Sequence, residues 1–233
     1  MSEPIRVLQV IGRMNRAGAE TMIMNLYRKI DKSKIQFDFV VHTNEKCDYD
    51  NEILSLGGRI YRVPRFTGKN IVKYRKVWND FFKAHREYKI VHGHIGSSAS
   101  IYLSIAKKYG IYTIAHSHSS SMGEGVKGAM YKFFSYPTRY IADYYFACSN
   151  LAGISRYGKR IVNSNKYSIL KNSIELEKFI YNEEVRKIKR KELKVEDKYV
   201  IGHVGRFIKC KNHKFLIDVL KELNNINGNT VLL

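Results

Sequence analysis

The chain has 233 residues, 44% of them hydrophobic, enough for one complete domain with a buried core and part of a second. Its 41 Lys and Arg against 21 Asp and Glu give a net charge of +20, which favours an anionic partner: a nucleotide-linked substrate, a nucleic acid or an anionic membrane surface. No apolar stretch reaches the roughly 18 residues that span a bilayer, and the N-terminus lacks the basic start of a secretory signal. We therefore expect a cytoplasmic protein.

Apolar runs of strand length alternate with helical patterns along the first 170 residues. The predicted strands cover residues 5–11, 36–42, 59–63, 90–92, 111–115, 145–147 and 167–170. The predicted helices follow Gly18 and cover residues 51–56, 71–85, 99–108 and 129–142. This alternation predicts an α/β fold, with a parallel sheet covered by helices on both faces.

Small polar residues follow several of these strands, at the end of a parallel sheet where ligands bind. They are glycines after the first strand and paired histidines after the fourth and fifth: Gly12, Gly18, His92, His94, His116 and His118. Such a pocket suits a sugar or a nucleotide better than an apolar cofactor. The four histidines could converge on one metal ion, but no Asp, Glu or Cys accompanies either pair at a usual ligand spacing. Neutral imidazoles that hydrogen-bond to hydroxyl groups are the preferred interpretation.

A second strand, glycine turn and helix follow near the end of the chain. The predicted strand 199–204 runs into Gly205 and Arg206, a helical pattern covers 215–223, and a further strand begins at Thr230. We therefore predict a Rossmann-like domain over 1–170, a charged linker over 171–198 and the truncated start of a second Rossmann-like domain over 199–233. Arg206 and Lys211 lie beside the predicted helix N-terminus, where two cations can neutralise a diphosphate.

Several motifs together resemble the retaining glycosyltransferases of family 4, which have two Rossmann-like domains in the GT-B arrangement. The motifs are FDFVVH at 37–42, ACS at 147–149, ILKNSIE at 169–175, IGHVGRF at 201–207 and KNH at 211–213. Their order and spacing are most similar to the bacterial branch that makes capsules and exopolysaccharides. The resemblance covers essentially the whole chain.

The resemblance implies transfer of a sugar from a nucleotide diphosphate donor to a growing, lipid-linked glycan, with retention of configuration and no obligatory metal or other cofactor. It implies that Arg206 and Lys211 bind the donor diphosphate, while the Gly18 loop approaches the phosphate from the other domain. His116 or His118 would then contact the donor sugar. Two departures stand out: the family's paired glycine is Ala17-Gly18 here, and the family's later motif with two glutamates would lie beyond Leu233.

The segment 129–142 mixes aromatic and basic residues, as in segments that dock on an anionic bilayer at the inner face of the membrane. The competing interpretation is that its aromatic residues cover the sheet and that Pro137 ends the helix.

Three other functions remain open. A nucleotide-sugar epimerase of the same fold would need acidic residues, in which the pocket loops are poor. A nucleic-acid-binding protein would have its basic residues concentrated on one element, whereas here they are scattered over many elements. We therefore expect no nucleic-acid partner. The third alternative is an inactive, truncated product.

Overall fold

The computed structural model of the protein describes residues 3–121, 123 and 125–233, without the side chains of Lys127 and Cys210. The chain divides into two compact units, one up to Ile174 and one from Glu175 onward.

The first unit is built on a seven-stranded parallel sheet. Its strands are β1 (Ile5–Ile11), β2 (Ile35–Val41), β3 (Ile60–Arg62), β4 (Ile90–Gly93), β5 (Tyr112–Ser117), β6 (Tyr144–Ala147) and β7 (Tyr167–Ile169). The spatial order β3-β2-β1-β4-β5-β6-β7 reverses direction beside β1. Such a reversal leaves a crevice at the carboxyl ends of β1 and β4, where ligands bind in doubly wound folds. The predicted α/β parallel-sheet fold is confirmed.

Helices cover both faces of this sheet. They are α1 (Gly18–Lys29), α2 (Asp50–Ser55), α3 (Ile71–Ala84), α4 (Ala99–Lys108), α5 (Gly125–Ser135), α6 (Thr138–Ile141), α7 (Asn150–Tyr157) and α8 (Lys159–Val162). One core cluster surrounds Trp78 on α3, and the other includes Tyr27 on α1; both side chains are fully buried. Within the described part of the chain, no helix has both the length and the apolar character needed to cross a bilayer.

Two elements of the first unit differ from the sequence prediction. The predicted helix 129–142 is two helices, α5 and α6, because Pro137 between them has no N–H to continue the hydrogen-bond ladder. Strand β5 continues to Ser117, so His116 lies on the strand and not behind it. The extension is paired with β6, where His116 is opposite Phe146.

The second unit has two parallel strands, β8 (Tyr199–Ile201) and β9 (Thr230–Leu232), and the helices α9 (Glu183–Glu192) and α10 (His213–Asn227). Helix α9 lies inside the segment that the sequence predicts as a charged linker. Strand β8 ends at Ile201, whereas the sequence predicts a strand up to residue 204. The side chain of Val204 is 99% exposed, so it does not pack against a core as a residue of a buried strand would. Arg206 therefore lies in the loop before α10 and not directly behind the strand.

Candidate functional site

Four histidines and one glutamine meet on one face of the sheet at the carboxyl ends of β1, β4 and β5. Gln9 is opposite His92 in the β1–β4 ladder, and side chains two residues apart on a strand point to the same face. His94 and His118 therefore continue the rows begun by His92 and His116. The ring centroids of His116 and His118 lie 4.0 Å apart, and those of His92 and His94 lie 4.3 Å apart. The structure of this unit thus brings both histidine pairs together.

A chain of hydrogen bonds links Gln9, His94 and His118. His94 Nε2 lies 2.8 Å from Gln9 Oε1, and His94 Nδ1 lies 2.8 Å from His118 Nε2. Because an amide oxygen only accepts, His94 carries its proton on Nε2, and His94 Nδ1 accepts from His118 Nε2–H. The remaining nitrogen, His118 Nδ1, then has a free lone pair. It is buried and has no hydrogen-bond partner among the described residues.

The second pair of histidines stacks beside this chain. The rings of His92 and His116 are nearly parallel, with an interplanar angle of 5° and centroids 5.2 Å apart. His92 Nε2 lies 3.2 Å from His116 Nδ1, which leaves His116 Nε2 buried and unpartnered among the residues described. Two ring nitrogens, one on His116 and one on His118, are thus available to a bound molecule.

Burial keeps these imidazoles neutral. It lowers the pKa of His92 from 6.5 to about 3 and that of His118 from 6.5 to about 4. It also lowers the pKa of His94 and of His116 well below the usual histidine range, with a further contribution from the neighbouring imidazoles. Near pH 7 the cluster therefore offers hydrogen-bond donors and acceptors, and no positive charge.

Three of these histidines could also hold a metal ion. One ring nitrogen each of His92, His94 and His116 lies within 4.8 Å of the other two, and three imidazoles are a ligand set that zinc accepts. The third ligand comes from the neighbouring strand, which sequence spacing alone does not show. Both nitrogens of His94 are already hydrogen-bonded, however, so a metal would have to replace Gln9 or His118 as its partner.

Two cavities open at this edge of the sheet. The smaller, of about 360 Å³, is lined by His94, His116, His118, Ser119, Ser121, Gly123, Tyr131 and Arg156. The larger, of about 800 Å³, combines the end of β1 at Gly12 with Arg13, Arg65 and the apolar side chains of Phe66 and Phe134. No carboxylate belongs to the described lining of either cavity.

His42 is a further polar group of the larger cavity. Its Nε2 lies 2.7 Å from Tyr74 Oη and its Nδ1 lies 3.2 Å from the Ile11 carbonyl. Burial lowers the pKa of His42 from 6.5 to about 4. Both nitrogens are thus occupied, which indicates that His42 shapes the cavity wall.

Gly18 is the first residue of α1, and no atom lies within 4 Å of the position that a Cβ would take there. The preceding residue, Ala17, offers no side-chain hydrogen bond to the first turn of the helix. Backbone N–H groups at a helix N-terminus attract anions, and the role predicted for Gly18 stays a prediction.

Arg206 and Lys211 lie in the segment that precedes α10 in the second unit. Lys211 ends a short 3-10 turn, and its Cγ and Cδ pass 3.4 Å from the position of a Cβ on Gly205. The ring of His213, the first residue of α10, stacks on Phe207 with centroids 4.6 Å apart. Arg206 and Lys211 are exposed, and neither forms an ion pair with another described residue. Their predicted contact with a diphosphate stays a prediction.

Gln9, Arg156 and Tyr131 were not predicted as site residues. The signal for Gln9 was a polar residue within the apolar run 7–11, whose other members are all buried. Arg156 had no such signal, because an arginine near the end of a helical pattern is ordinary in a basic chain.

The family model for Glycosyltransferase Family 4 matches residues 16–177. The chain belongs to this family. Among curated relatives, EpsF of Bacillus subtilis (strain 168), whose name assigns it to the glycosyltransferases, is 36% identical over 223 residues. The match covers 94% of this chain and 58% of EpsF. The capsular polysaccharide biosynthesis glycosyltransferase CapH of Staphylococcus aureus is 25% identical, with coverage of 94% of this chain and 58% of CapH.

Solved structures share the family 4 fold at low sequence identity. Anabaena Alr3699/HepE in complex with UDP-glucose superimposes with a TM-score of 0.73 at 12% identity, over 97% of this chain and 59% of HepE. The UDP-GlcNAc 2-epimerase of Methanocaldococcus jannaschii superimposes with a TM-score of 0.56 at 15% identity, over 97% of this chain and 65% of the epimerase. The fold by itself therefore does not distinguish a glycosyltransferase from a nucleotide-sugar epimerase. The chain spans about 58% of the length of the curated relatives described.

Proposed function

We propose that the chain takes part in transfer of a sugar from a nucleotide diphosphate donor to a growing glycan in capsule or exopolysaccharide synthesis. The observation that carries the proposal is the pair of unpartnered ring nitrogens, His116 Nε2 and His118 Nδ1, at the carboxyl end of β5 in a family 4 fold. A sugar hydroxyl that enters the smaller cavity can donate a hydrogen bond to His118 Nδ1. The UDP-glucose complex of HepE supports a nucleotide sugar as the ligand class.

The composition of the cavities favours a transferase over the epimerase alternative. An epimerase moves protons on the sugar ring with groups that titrate near neutral pH, whereas the described lining of both cavities contains no Asp or Glu, and burial lowers the pKa of its histidines. The histidines of the cluster are neutral near pH 7 and fixed by hydrogen bonds, which suits them to holding hydroxyl groups.

In this proposal, charge on the departing diphosphate is neutralised without a divalent ion. Arg206 and Lys211 are free of ion pairs among the described residues and lie beside the start of α10, which has 15 residues. For the first unit, the separate prediction is that the first turn of α1 at Gly18 contacts a phosphate through backbone N–H groups. Such preorganised donors stabilise developing negative charge on a leaving group. Retention of configuration belongs to this proposal as a family property.

We further propose that the acceptor is lipid-linked and that the first unit docks on an anionic membrane surface on the cytoplasmic side. On α5 and α6, Phe133 is 75% exposed and Tyr140 is 71% exposed, while Phe134 packs on Phe66 with ring centroids 5.0 Å apart. The aromatic residues of the segment 129–142 thus divide between the interior and the surface. Exposed aromatic residues beside Lys132 and Arg139 suit an interface between lipid and water.

A saturation-transfer NMR screen of UDP-, GDP-, ADP- and dTDP-linked sugars against the chain tests the main proposal. At least one nucleotide sugar is expected to bind, with transfer to protons of the sugar ring as well as to the base. His118→Ala should weaken the sugar signals, whereas His85→Ala, at the C-terminal end of α3 and outside the lining of both cavities, should leave them unchanged. Failure of every nucleotide sugar to bind at millimolar concentration would contradict the proposal.

A further inference from the structure

Arg156 carries a buried positive charge that no described residue neutralises. The residue lies in the last turn of α7 and is 8% exposed. Its guanidinium forms no hydrogen bond or ion pair with any described residue, and Nη1 is fully buried without a partner. Removing a charge from water without a counter-charge is costly, so buried charges in proteins are normally paired. The position of Arg156 points to a partner that is not part of the described chain.

Tyr131 and Gly96 leave room for this guanidinium and contact it. The guanidinium carbon lies over the ring of Tyr131 at 4.4 Å from the centroid, which is a cation–π contact. A Cβ on Gly96 would lie 2.5 Å from Arg156 Nη1 and 2.2 Å from Tyr131 Oη. Any other residue at position 96 would therefore displace both groups. A glycine, an aromatic ring and an arginine together form this cradle.

The rest of the smaller cavity offers hydroxyl groups beside the guanidinium. Ser119 Oγ accepts a hydrogen bond from Ser121 N at 3.0 Å, and its own proton is free to donate to a ligand. The loop is fixed to α7, because Ser155 Oγ donates to the Ser120 carbonyl at 2.8 Å. His118 Nδ1, an acceptor, lies in the same cavity.

We propose that this cavity binds a sugar phosphate, with the phosphate on Arg156, Ser119 and Ser121 and a ring hydroxyl on His118 Nδ1. A fork of N–H donors beside hydroxyl donors matches phosphate oxygens, whereas a bare imidazole nitrogen matches a hydroxyl group. The inference rests on the proposed function for the source of the ligand, because the donor and a lipid-linked acceptor both carry a sugar phosphate. The cavity volume of about 360 Å³ is on the scale of one such unit.

Calorimetric titration of the chain with glucose 1-phosphate, and with methyl glucoside as the ligand without phosphate, tests the subsite. Arg156→Met is expected to weaken binding of glucose 1-phosphate by about tenfold to a hundredfold, and to leave the weaker binding of methyl glucoside unchanged. Arg160→Met is the matched control, because it removes the same charge from an exposed position on α8. Gly96→Ala, which keeps the charge of Arg156 but displaces its guanidinium, should also weaken binding of glucose 1-phosphate.

Thermal unfolding without ligand distinguishes a binding role from a structural one. If Arg156 is an uncompensated charge, Arg156→Met should keep or raise the Tm of the chain. Glu124 follows Gly123 of the cavity lining in the sequence and lies outside the described residues. The variant Glu124→Gln is therefore included, to test whether Glu124 pairs with Arg156. A lowered Tm in Arg156→Met that Glu124→Gln reproduces would assign Arg156 to an internal ion pair and overturn the proposal. Equal affinity of wild type and Arg156→Met for glucose 1-phosphate would also overturn it.

Competition identifies the source of the sugar phosphate. Displacement of glucose 1-phosphate by UDP-glucose assigns the subsite to the donor, whereas displacement only by a glucosyl diphosphate with a short prenyl chain assigns it to the acceptor. If no nucleotide sugar binds while glucose 1-phosphate still requires Arg156, the proposed function fails and the subsite stands.

Discussion

His94 Nδ1 lies 2.8 Å from His118 Nε2, so the hydrogen-bonding state of one imidazole determines that of the other. The state of His94 is determined in turn by Gln9 Oε1, 2.8 Å from its second nitrogen. A residue on β1 therefore controls whether the unpartnered nitrogen of His118 carries a proton. Neither Gln9 nor His94 needs to touch a substrate to have this effect.

The first prediction concerns this relay. In the wild-type chain both His94 and His118 are expected to carry their proton on Nε2, as measured by long-range ¹H–¹⁵N correlation of the imidazole rings. Gln9→Met removes the accepting oxygen and should lower the free energy of unfolding by about 1–3 kcal/mol, because the buried His94 N–H loses its partner. Gln9→Glu, which keeps an accepting oxygen, should preserve both tautomers. A proton on Nδ1 of His118 in the wild type would contradict the relay.

The second prediction is that stability falls as the pH falls below 6.5. The folded-state pKa of His92 is about 3, against 6.5 when unfolded, so the unfolded chain binds a proton in this window that the folded chain does not. Between pH 7.5 and pH 5.5 one such histidine should cost about 1.4 kcal/mol of unfolding free energy. Urea unfolding at the two pH values measures this loss. In His92→Phe, the loss of unfolding free energy between the two pH values should be smaller by about 1.4 kcal/mol. An unchanged loss would show that the pKa of His92 is the same in the folded and the unfolded chain.

The third prediction is that nucleotide-sugar binding does not depend on a metal. Prolonged treatment with a strong chelator should leave the affinity of the chain unchanged, since both nitrogens of His94 are already hydrogen-bonded, to Gln9 and to His118. Elemental analysis of the untreated chain should find less than one metal ion per ten chains. Stoichiometric zinc, together with loss of binding on chelation and on His92→Ala, would assign His92, His94 and His116 to a metal site instead.

The fourth prediction separates the two cations of the second unit from their neighbours. Arg206→Ala and Lys211→Ala should each weaken binding of the nucleoside diphosphate by about tenfold to a hundredfold, the effect of one charge-assisted contact. Lys221→Ala, an exposed lysine in the third turn of α10, is the matched control and should change the affinity less than twofold. Isothermal titration of UDP into the three variants supplies the comparison. If all three variants bound UDP as tightly as the wild type, neither Arg206 nor Lys211 would belong to the site.

The fifth prediction concerns the exposed aromatic residues of α5 and α6. Co-sedimentation with vesicles containing 30 mol% anionic phospholipid, roughly a bacterial inner-membrane charge, is expected for the wild type and should weaken with added salt. Phe133→Ser with Tyr140→Ser should reduce the bound fraction several-fold. Val72→Ser on α3 alters a side chain that is 80% exposed elsewhere and should have no effect. Binding unaffected by the double variant would place the membrane contact on another surface, or leave only charge attraction.

The amino-acid sequence by itself determined the fold of the first unit and the family. Strands β1 and β4 and helices α3 and α4 could be predicted closely, because burial on both sheet faces produces apolar runs and helical periodicity that are visible locally. The histidine pairs were also visible, since each pair lies within a single strand and its extension. The end of β5 was placed too early, because pairing with β6 extends the strand through His116 and Ser117.

Only the tertiary structure decided which atoms of the site are free. Gln9 and His94 are 85 residues apart, and their hydrogen bond exists because β1 and β4 are neighbours in the sheet although two strands intervene in the sequence. Arg156 acquires its unpaired, buried state from Gly96 and Tyr131, which belong to other elements. Burial and hydrogen bonding depend on contacts between distant segments, so local sequence patterns supply the candidate residues and the fold selects their chemistry.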